Sequence, residues 1–363
     1  MEIRHVRIGD QDQLDEKHPE LTRQYPDQIS PNFAVSDSHS RDFTYLFYAI
    51  ENGQIASYIR SFPDTLFHEG RPHKWAWNSG LFTEPSFRGR GLAGAIIEQQ
   101  LEEFSRQNLV WGGVFSSPAA LRLYERLDFY PLEYSPRLCL IRNIKPFLHH
   151  HISNHIISSG GNFVYKLGFS VIQKFVFRPP HTSESSYIEQ VTPEQFSALL
   201  SKYSIYFPEK FHWEHDASWF LERRKRRNID KIYTIRLSSA REPNFFIFIR
   251  SRTMEKNPIK NRYHGVKMMS VMEFGQFQSY SNFPKHLIEA VLKLFSKSDA
   301  DMMEFVTSSP SIIKAARKSG FFPIGAGMSF RFKAPKGHPL ENMPVKPSDY
   351  HLSHYSGDAF GFE

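Results

Sequence analysis

Phe87-Arg88-Gly89-Arg90-Gly91-Leu92-Ala93-Gly94 stands between a strand-like run, Trp75–Phe82, and a helix-patterned one, Leu92–Phe104. Glycines let the backbone approach a ligand closely. The first amides of the following helix have no acceptor inside it, and the positive end of its dipole favours an anion. The stretch therefore reads as a phosphate-binding turn that opens a helix.

Gly89-x-Gly91-x-x-Gly94 also satisfies the dinucleotide fingerprint, but its context is wrong. A dinucleotide unit places the glycines directly after the strand and an acid roughly 20 residues on, at the end of the next strand. Here six residues, Thr83 to Arg88, intervene, and the next strand candidate, Leu109–Phe115, has no carboxylate.

Read as Arg88-x-x-Gly91-x-Ala93, the same turn resembles the GNAT superfamily of acyl-CoA-dependent N-acetyltransferases. The likeness continues through Leu109–Phe115 as a fifth strand, a helix Pro118–Leu127 with Pro in its first turn, and Tyr124-Glu125-Arg126-Leu127-Asp128-Phe129. That last run is similar to the family's Tyr-x-x-x-Gly-Phe ending, with Asp128 in place of the glycine. The likeness covers roughly Glu2–Arg142. It implies an α+β fold in which a central, mostly antiparallel sheet is flanked by helices. It also implies that backbone amides of Arg88, Gly89, Arg90, Gly91, Leu92, Ala93 and Gly94 hold the CoA pyrophosphate. The end of the fourth strand, Leu81, Phe82 and Thr83, would run beside the thioester, with a Leu81 or Phe82 amide polarising its carbonyl. Tyr124 would protonate the leaving thiolate, since a phenol at ~10 has a higher pKa than a thiol at ~8.5. Ser117 would contact the pantetheine or cap the helix. Many relatives carry a glutamate base on the fourth strand, but Ala76-Trp77-Asn78-Ser79 offers none, and Glu84, past the strand, reads as solvated.

Composition fits this picture. The chain has 363 residues, enough for two domains, and 40% of them are hydrophobic, with 33 Phe and 16 Tyr. A net charge of +7 suits an anionic ligand such as CoA but is too mild to argue for nucleic acid. The single cysteine, Cys139, forms no intrachain disulfide and fits a reducing cytoplasm. No signal-peptide pattern and no run of ~18 apolar residues is present, so neither export nor a membrane span is expected.

The chain also repeats itself. Ser116-Ser117-Pro118-Ala119-Ala120-Leu121-Arg122 recurs as Ser308-Ser309-Pro310-Ser311-Ile312-Ile313-Lys314, and Leu127–Pro131 as Ser319–Pro323, both at an offset of 192 residues. The same offset pairs Trp75–Phe82 with Lys267–Phe274 and Leu92–Phe104 with Pro284–Ser296, so a tandem duplication is expected. The second copy turns Gly89, Gly91, Ala93 and Tyr124 into Ser281, Phe283, Lys285 and Ala316. It should have lost the chemistry and serve to wall the acceptor pocket. The expected division is an N-terminal domain at 1–143, a connector at 144–180, a degenerate C-terminal domain at 181–334 and a tail at 335–363. In the first domain, Phe43–Ile50 and Ile55–Phe62 read as a hairpin around Asn52-Gly53.

Other features carry less. His149-His150-His151 with His155 lacks an acid or cysteine to complete a metal set, and no metal is expected. Arg223-Arg224-Lys225-Arg226-Arg227 reads as the wet end of a helix. Cys139 gives no sign of being an acyl carrier. Glu363, the terminal residue, is a candidate base only by likeness to two-copy relatives. The function expected is transfer of an acetyl or longer acyl group from CoA to a primary amine of a small molecule, in a direct ternary complex. An acyl-CoA-binding regulator and a protein-lysine acetyltransferase remain as alternatives.

Overall fold

The computed structural model describes residues 1–25, 41–115, 118–131, 135–144, 186–213, 216, 220, 230–254, 264–324, 329–341 and 346–353. Its first sheet runs β1 (Glu2–Arg7), β2 (Thr44–Glu51), β3 (Gln54–His68), β4 (Arg71–Thr83), β5 (Val110–Phe115), β15 (Ser329–Lys333), β6 (Tyr130–Pro131), with β9 (Phe211–Trp213) on the far end of β3. The second runs β14 (Phe322–Pro323), β7 (Arg137–Ile141), β13 (Met302–Val306), β12 (Lys267–Gln276), β11 (Phe245–Thr253), β10 (Asp230–Leu237), β8 (Ser186–Val191). In each sheet one pair, β4 with β5 and β12 with β13, is parallel. The described helices are α1 (Leu14–Lys17), α2 (Pro19–Gln24), α3 (Leu92–Arg106), α4 (Pro118–Arg126), α5 (Pro193–Lys202), α6 (Phe283–Lys297) and α7 (Pro310–Lys318).

The duplication is visible as geometry. β5 and β13, α4 and α7, β6 and β14, and β7 and β15 all begin 192 residues apart. Asp128 and Gly320, at the same register after α4 and α7, both take positive φ, 56° and 88°. Aspartate is one of the few side chains that visits that region readily, so Asp128 does the work of the family's glycine there.

The last strands of the two copies are exchanged. β7, from the first copy, pairs with β13 and β14, while β15, from the second, pairs with β5 and β6. The domains read from sequence as 1–143 and 181–334 thus each lend a strand to the other's sheet. Between the sheets lies one aromatic core, in which Phe62, Trp75, Trp77, Trp213 and Phe330 of the first sheet meet Phe246 and Phe248 of the second and Tyr350. Each such buried aromatic contributes roughly 1.5–3 kcal/mol over its exposed state. The exchange and the shared core tie the two halves together.

Local signals account for the hairpin and the helix. Asn52 and Gly53 both have positive φ, as a two-residue turn between right-twisted strands requires. The strands it joins are longer than the alternation alone implied, because β3 continues to His68 to meet β9. The buried stripe of α3 runs Leu92, Ile96, Ile97, Gln100, Glu103, Phe104, and Ala93 and Leu101 beside it are only half-buried. Two polar residues take their place because each has a partner: Gln100 donates to Ser61, and Glu103 pairs with Arg106 at 2.9 Å. No described helix is long and apolar enough to cross a membrane.

Candidate active site

β4 and β5 pair only through Trp75–Trp77 and Val110–Gly112. Past those residues β4 stays with β3, and β5 stays with β15. The carboxyl ends of the two parallel strands therefore open as a fork, the position where ligands enter open sheets.

Asn78 is the first residue of β4 beyond the paired stretch, and it is buried. Its side-chain amide donates to the Tyr124 hydroxyl from α4. The Tyr124 ring is fixed by Trp111 of β5 and by Phe129, with centroids 6.0 and 5.0 Å away. The side-chain Oδ1 of Asn78 is buried without a hydrogen-bond partner among the described residues. Sequence reading singled out Tyr124 but passed over Asn78. The available signal was a polar residue following the buried run Trp75-Ala76-Trp77.

Two residues on, β4 bulges. Tyr58 faces Phe82 and Arg60 faces Ser79, which leaves Gly80 and Leu81 together opposite Ile59. A bulge re-aims backbone groups and often borders an active site. Gly80 has φ +64°, and a Cβ there would lie 3.1 Å from Arg60 Nη2, so glycine satisfies both the conformation and the close approach. The run Leu81-Phe82-Thr83 completes the arm, with Ser57 Oγ donating to the Phe82 carbonyl at 2.7 Å.

Past Thr83 the chain makes a short 3-10 turn, Pro85–Phe87, and enters α3 through Gly89 and Gly91, both at φ +80°. Gly91 is the N-cap and has no side chain to cap the helix, and its carbonyl accepts from Ala95 at 3.1 Å. The amides of Leu92, Ala93 and Gly94 thus face outward from an exposed, glycine-lined helix start. The two arginines differ. Arg88 Nε donates to the Thr83 carbonyl at 3.1 Å, while Arg90 pairs with Glu51 at 3.0 Å and lies over the Phe87 ring. Ser117 lies outside the described residues.

One face of this arm carries a second group of side chains. Tyr25 donates to Glu84, and its ring meets Tyr58, which in turn meets Phe82; both centroid distances are 5.4 Å. Glu84, expected to be solvated, is half-buried and held. Burial pushes the Tyr58 phenol up, the Arg60 guanidinium opposes that, and Glu84 adds to it. Arg60 itself is half-buried, and sequence reading missed it.

The second copy has the same fork and bulge, filled differently. β12 and β13 pair through Val271 and Phe305, and Met272, at the register of Gly80, is the extra residue between Val271 and Glu273. The tail enters this fork. Ser308 donates to the Tyr350 carbonyl, Leu352 N donates to Ser308 Oγ at 3.1 Å, and Ser353 Oγ donates to Glu273 at 2.7 Å. His351 Nε2 lies 2.8 Å from Glu273, and its Nδ1 lies 3.8 Å from Glu209. Burial would lower the His351 pKa, but Glu273 and Glu209 outweigh it and hold it up at about 10. At the register of Gly91, Phe283 is buried against Phe245 and Phe274, and the preceding Asn282 has φ −88°. The left-handed, open helix start of the first copy is thus missing from the second.

Cys139 is buried in β7, and burial followed by Glu304 pushes its thiol up to about 12, so it is a poor nucleophile. His149–His151, His155, Arg223–Arg227 and Glu363 lie outside the described residues.

Residues 11–129 match the Acetyltransferase (GNAT) family. Among solved structures, N-myristoyltransferase of Saccharomyces cerevisiae with bound myristoyl-CoA is similar at a TM-score of 0.54 and 13% identity, over 95% of this chain and 83% of that one. A GCN5-related N-acetyltransferase from Anabaena variabilis is similar at a TM-score of 0.51 and 11% identity, over 92% and 73%. At such identities the likeness is one of fold. No curated protein matches the chain. With its forked sheet, its bulged fourth strand and the family match over residues 11–129, the first copy is a GNAT-family acetyltransferase domain.

Proposed function

We propose that the chain is an N-acyltransferase that moves an acetyl or longer acyl group from CoA to an amine at the β4–β5 fork. One observation carries this reading. The bulge at Gly80–Leu81, the Asn78–Tyr124 pair and the glycine-capped start of α3 lie on one fork, in the order that a CoA thioester needs.

In this reading the diphosphate meets the amides of Gly89 to Gly94, with Arg88 and Arg90 supplying charge. The thioester lies along Leu81, Phe82 and Thr83, and a Leu81 or Phe82 amide stabilises the developing oxyanion. The neutral amine attacks the thioester carbon, the C–S bond breaks, Tyr124 gives its proton to the leaving thiolate, and the proton that the nitrogen loses passes to solvent, from which the phenol is restored. Asn78, donating to the phenol oxygen, orients it. The burial and raised pKa of Cys139 favour this direct route over an acyl-cysteine intermediate. The second copy acts as a scaffold whose own fork holds the tail, which leaves acetyl-CoA or a longer acyl-CoA to the first. The acceptor is a small-molecule amine. The single cysteine fits a reducing, cytoplasmic setting.

The test has two steps. Calorimetry with acetyl-CoA and myristoyl-CoA should give binding that depends on Gly91. Thiol release with an amine panel should then give turnover. Binding without turnover on any amine would favour a regulator that senses acyl-CoA. No binding with either thioester removes the reading altogether.

A further inference from the structure

Arg60 places a guanidinium beside the β4 bulge, with Nε and Nη1 buried and lacking any hydrogen-bond partner among the described residues. A buried, unpaired charge is strongly unfavourable, whereas a bound anion would satisfy it. The site is shaped to keep it there. Gly80 leaves just the room its Nη2 occupies, and Ser79 stands opposite on the ladder.

The face it occupies decides what the anion is. Ser61, next along β3, accepts from Gln100 of α3, and its cross-strand partner Asn78 meets Tyr124 on that same face. Side chains alternate along a strand, so Arg60 and Ser79 project from the opposite face. There Tyr58, Phe82 and Tyr25 form an aromatic wall, and Glu84 supplies a carboxylate. The leaving sulfur belongs on the side of Tyr124, so the amine comes in from the side of Arg60. The phosphates of CoA already have the Gly89–Gly94 turn.

Resting on the acyltransfer reading, we propose that Arg60 binds a carboxylate of the acceptor, so that the substrate class is amines bearing a carboxylate close to the reacting nitrogen, as in amino acids. A guanidinium binds carboxylate through paired N–H groups and fixes its orientation. Glu84, on the same face, attracts the ammonium end of such a zwitterion, which loses a proton to solvent before the neutral nitrogen attacks.

The experiment compares matched acceptors: each common L-amino acid, its carboxamide and its decarboxylated amine. Donors are acetyl-CoA and succinyl-CoA, products are read by mass, and acetyl-CoA affinity is followed by calorimetry. Wild-type kcat/KM should favour the carboxylate member by roughly 10- to 100-fold. In Arg60→Met that ratio should fall to near one while acetyl-CoA affinity holds. The variant removes a half-buried guanidinium two of whose nitrogens lack partners among the described residues, so the fold should survive. Arg60→Lys keeps the charge without the planar fork and should give an intermediate ratio. Equal rates on acids and amides in the wild type overturn the proposal, as does a ratio unchanged in Arg60→Met. A preference for succinyl over acetyl that vanishes in Arg60→Met assigns the guanidinium to the acyl group and also overturns it. Loss of acetyl-CoA binding in the wild type would instead fail the acyltransfer reading, and this proposal with it.

Discussion

Asn78 of β4 donates to the hydroxyl of Tyr124 on α4, across the point where β4 and β5 part. The bond leaves the phenol oxygen as acceptor, so its own proton is directed elsewhere. Tyr124→Phe keeps the ring contacts with Trp111 and Phe129 and removes only the acid. Turnover should fall by about 100-fold or more with little change in acyl-CoA affinity. Asn78→Ala should lower turnover less, about 10-fold, because the acid remains but is no longer oriented. Steady-state kinetics with calorimetry on the same samples checks both. Undiminished turnover in Tyr124→Phe would remove the acid role.

Gly80 supports the bulge through its positive φ and its contact with Arg60. Gly80→Ala must strain the backbone by roughly 1–2 kcal/mol and push the guanidinium aside. A folded protein with a modestly lower melting temperature and a much lower kcat is expected. A mutant with normal kcat would show that the bulge does not position the thioester.

Arg88 and Arg90 should separate on substitution. Arg90 is engaged with Glu51, so Arg90→Ala should weaken acyl-CoA binding less than Arg88→Ala. The double variant should lose roughly 10-fold in affinity, more at low salt, where charge is less screened. Calorimetric titration at two ionic strengths measures this. Unchanged affinity in the double variant would leave the amides alone as the anion site.

Much of this was legible in the chain. Gly89 and Gly91 announce a turn that only positive φ can close, and the 192-residue repeat predicts the strands and helices of the second copy. What hid was long-range. Nothing local in Arg137–Ile141 or Ser329–Lys333 says which sheet each joins, because both are five-residue strands whose few apolar side chains would pack against either sheet. Arg60 hid because an arginine between Ile59 and Ser61 of an alternating strand reads as a surface position until two of its guanidinium nitrogens are seen buried without partners among the described residues. Glu84 read as solvated because its partner, Tyr25, is 59 residues away. The buried role of Tyr350 and Leu352 hid in a proline-rich tail whose partners, Ser308 and Glu273, lie far back in the chain.

The strand exchange predicts how the protein divides. A fragment of residues 1–144 lacks β15, so β5 presents an open edge beside an uncovered aromatic face. It should aggregate, as unprotected edges do. Co-expression with residues 145–363 should restore a soluble complex. A monomeric, cooperatively melting 1–144 fragment would show that the exchange is dispensable.

His351 makes the tail sensitive to alkali. Its folded pKa of about 10 stands above the ordinary 6.5, because Glu273 and Glu209 outweigh the opposing burial. A group raised on folding binds its proton more tightly in the folded state. Its contribution is therefore complete below about pH 6.5 and is lost as pH rises through about 10. Melting temperature should fall across that window. Glu273→Gln removes one partner of a buried pair, which costs ~3–5 kcal/mol, and should flatten the alkaline slope. Since Ser353 also loses its acceptor charge, proteolysis near the tail should speed up in the same variant. A pH profile identical to wild type would mean that His351 is neutral in the folded chain, and the ion pair would then contribute nothing to seating the tail in the second fork.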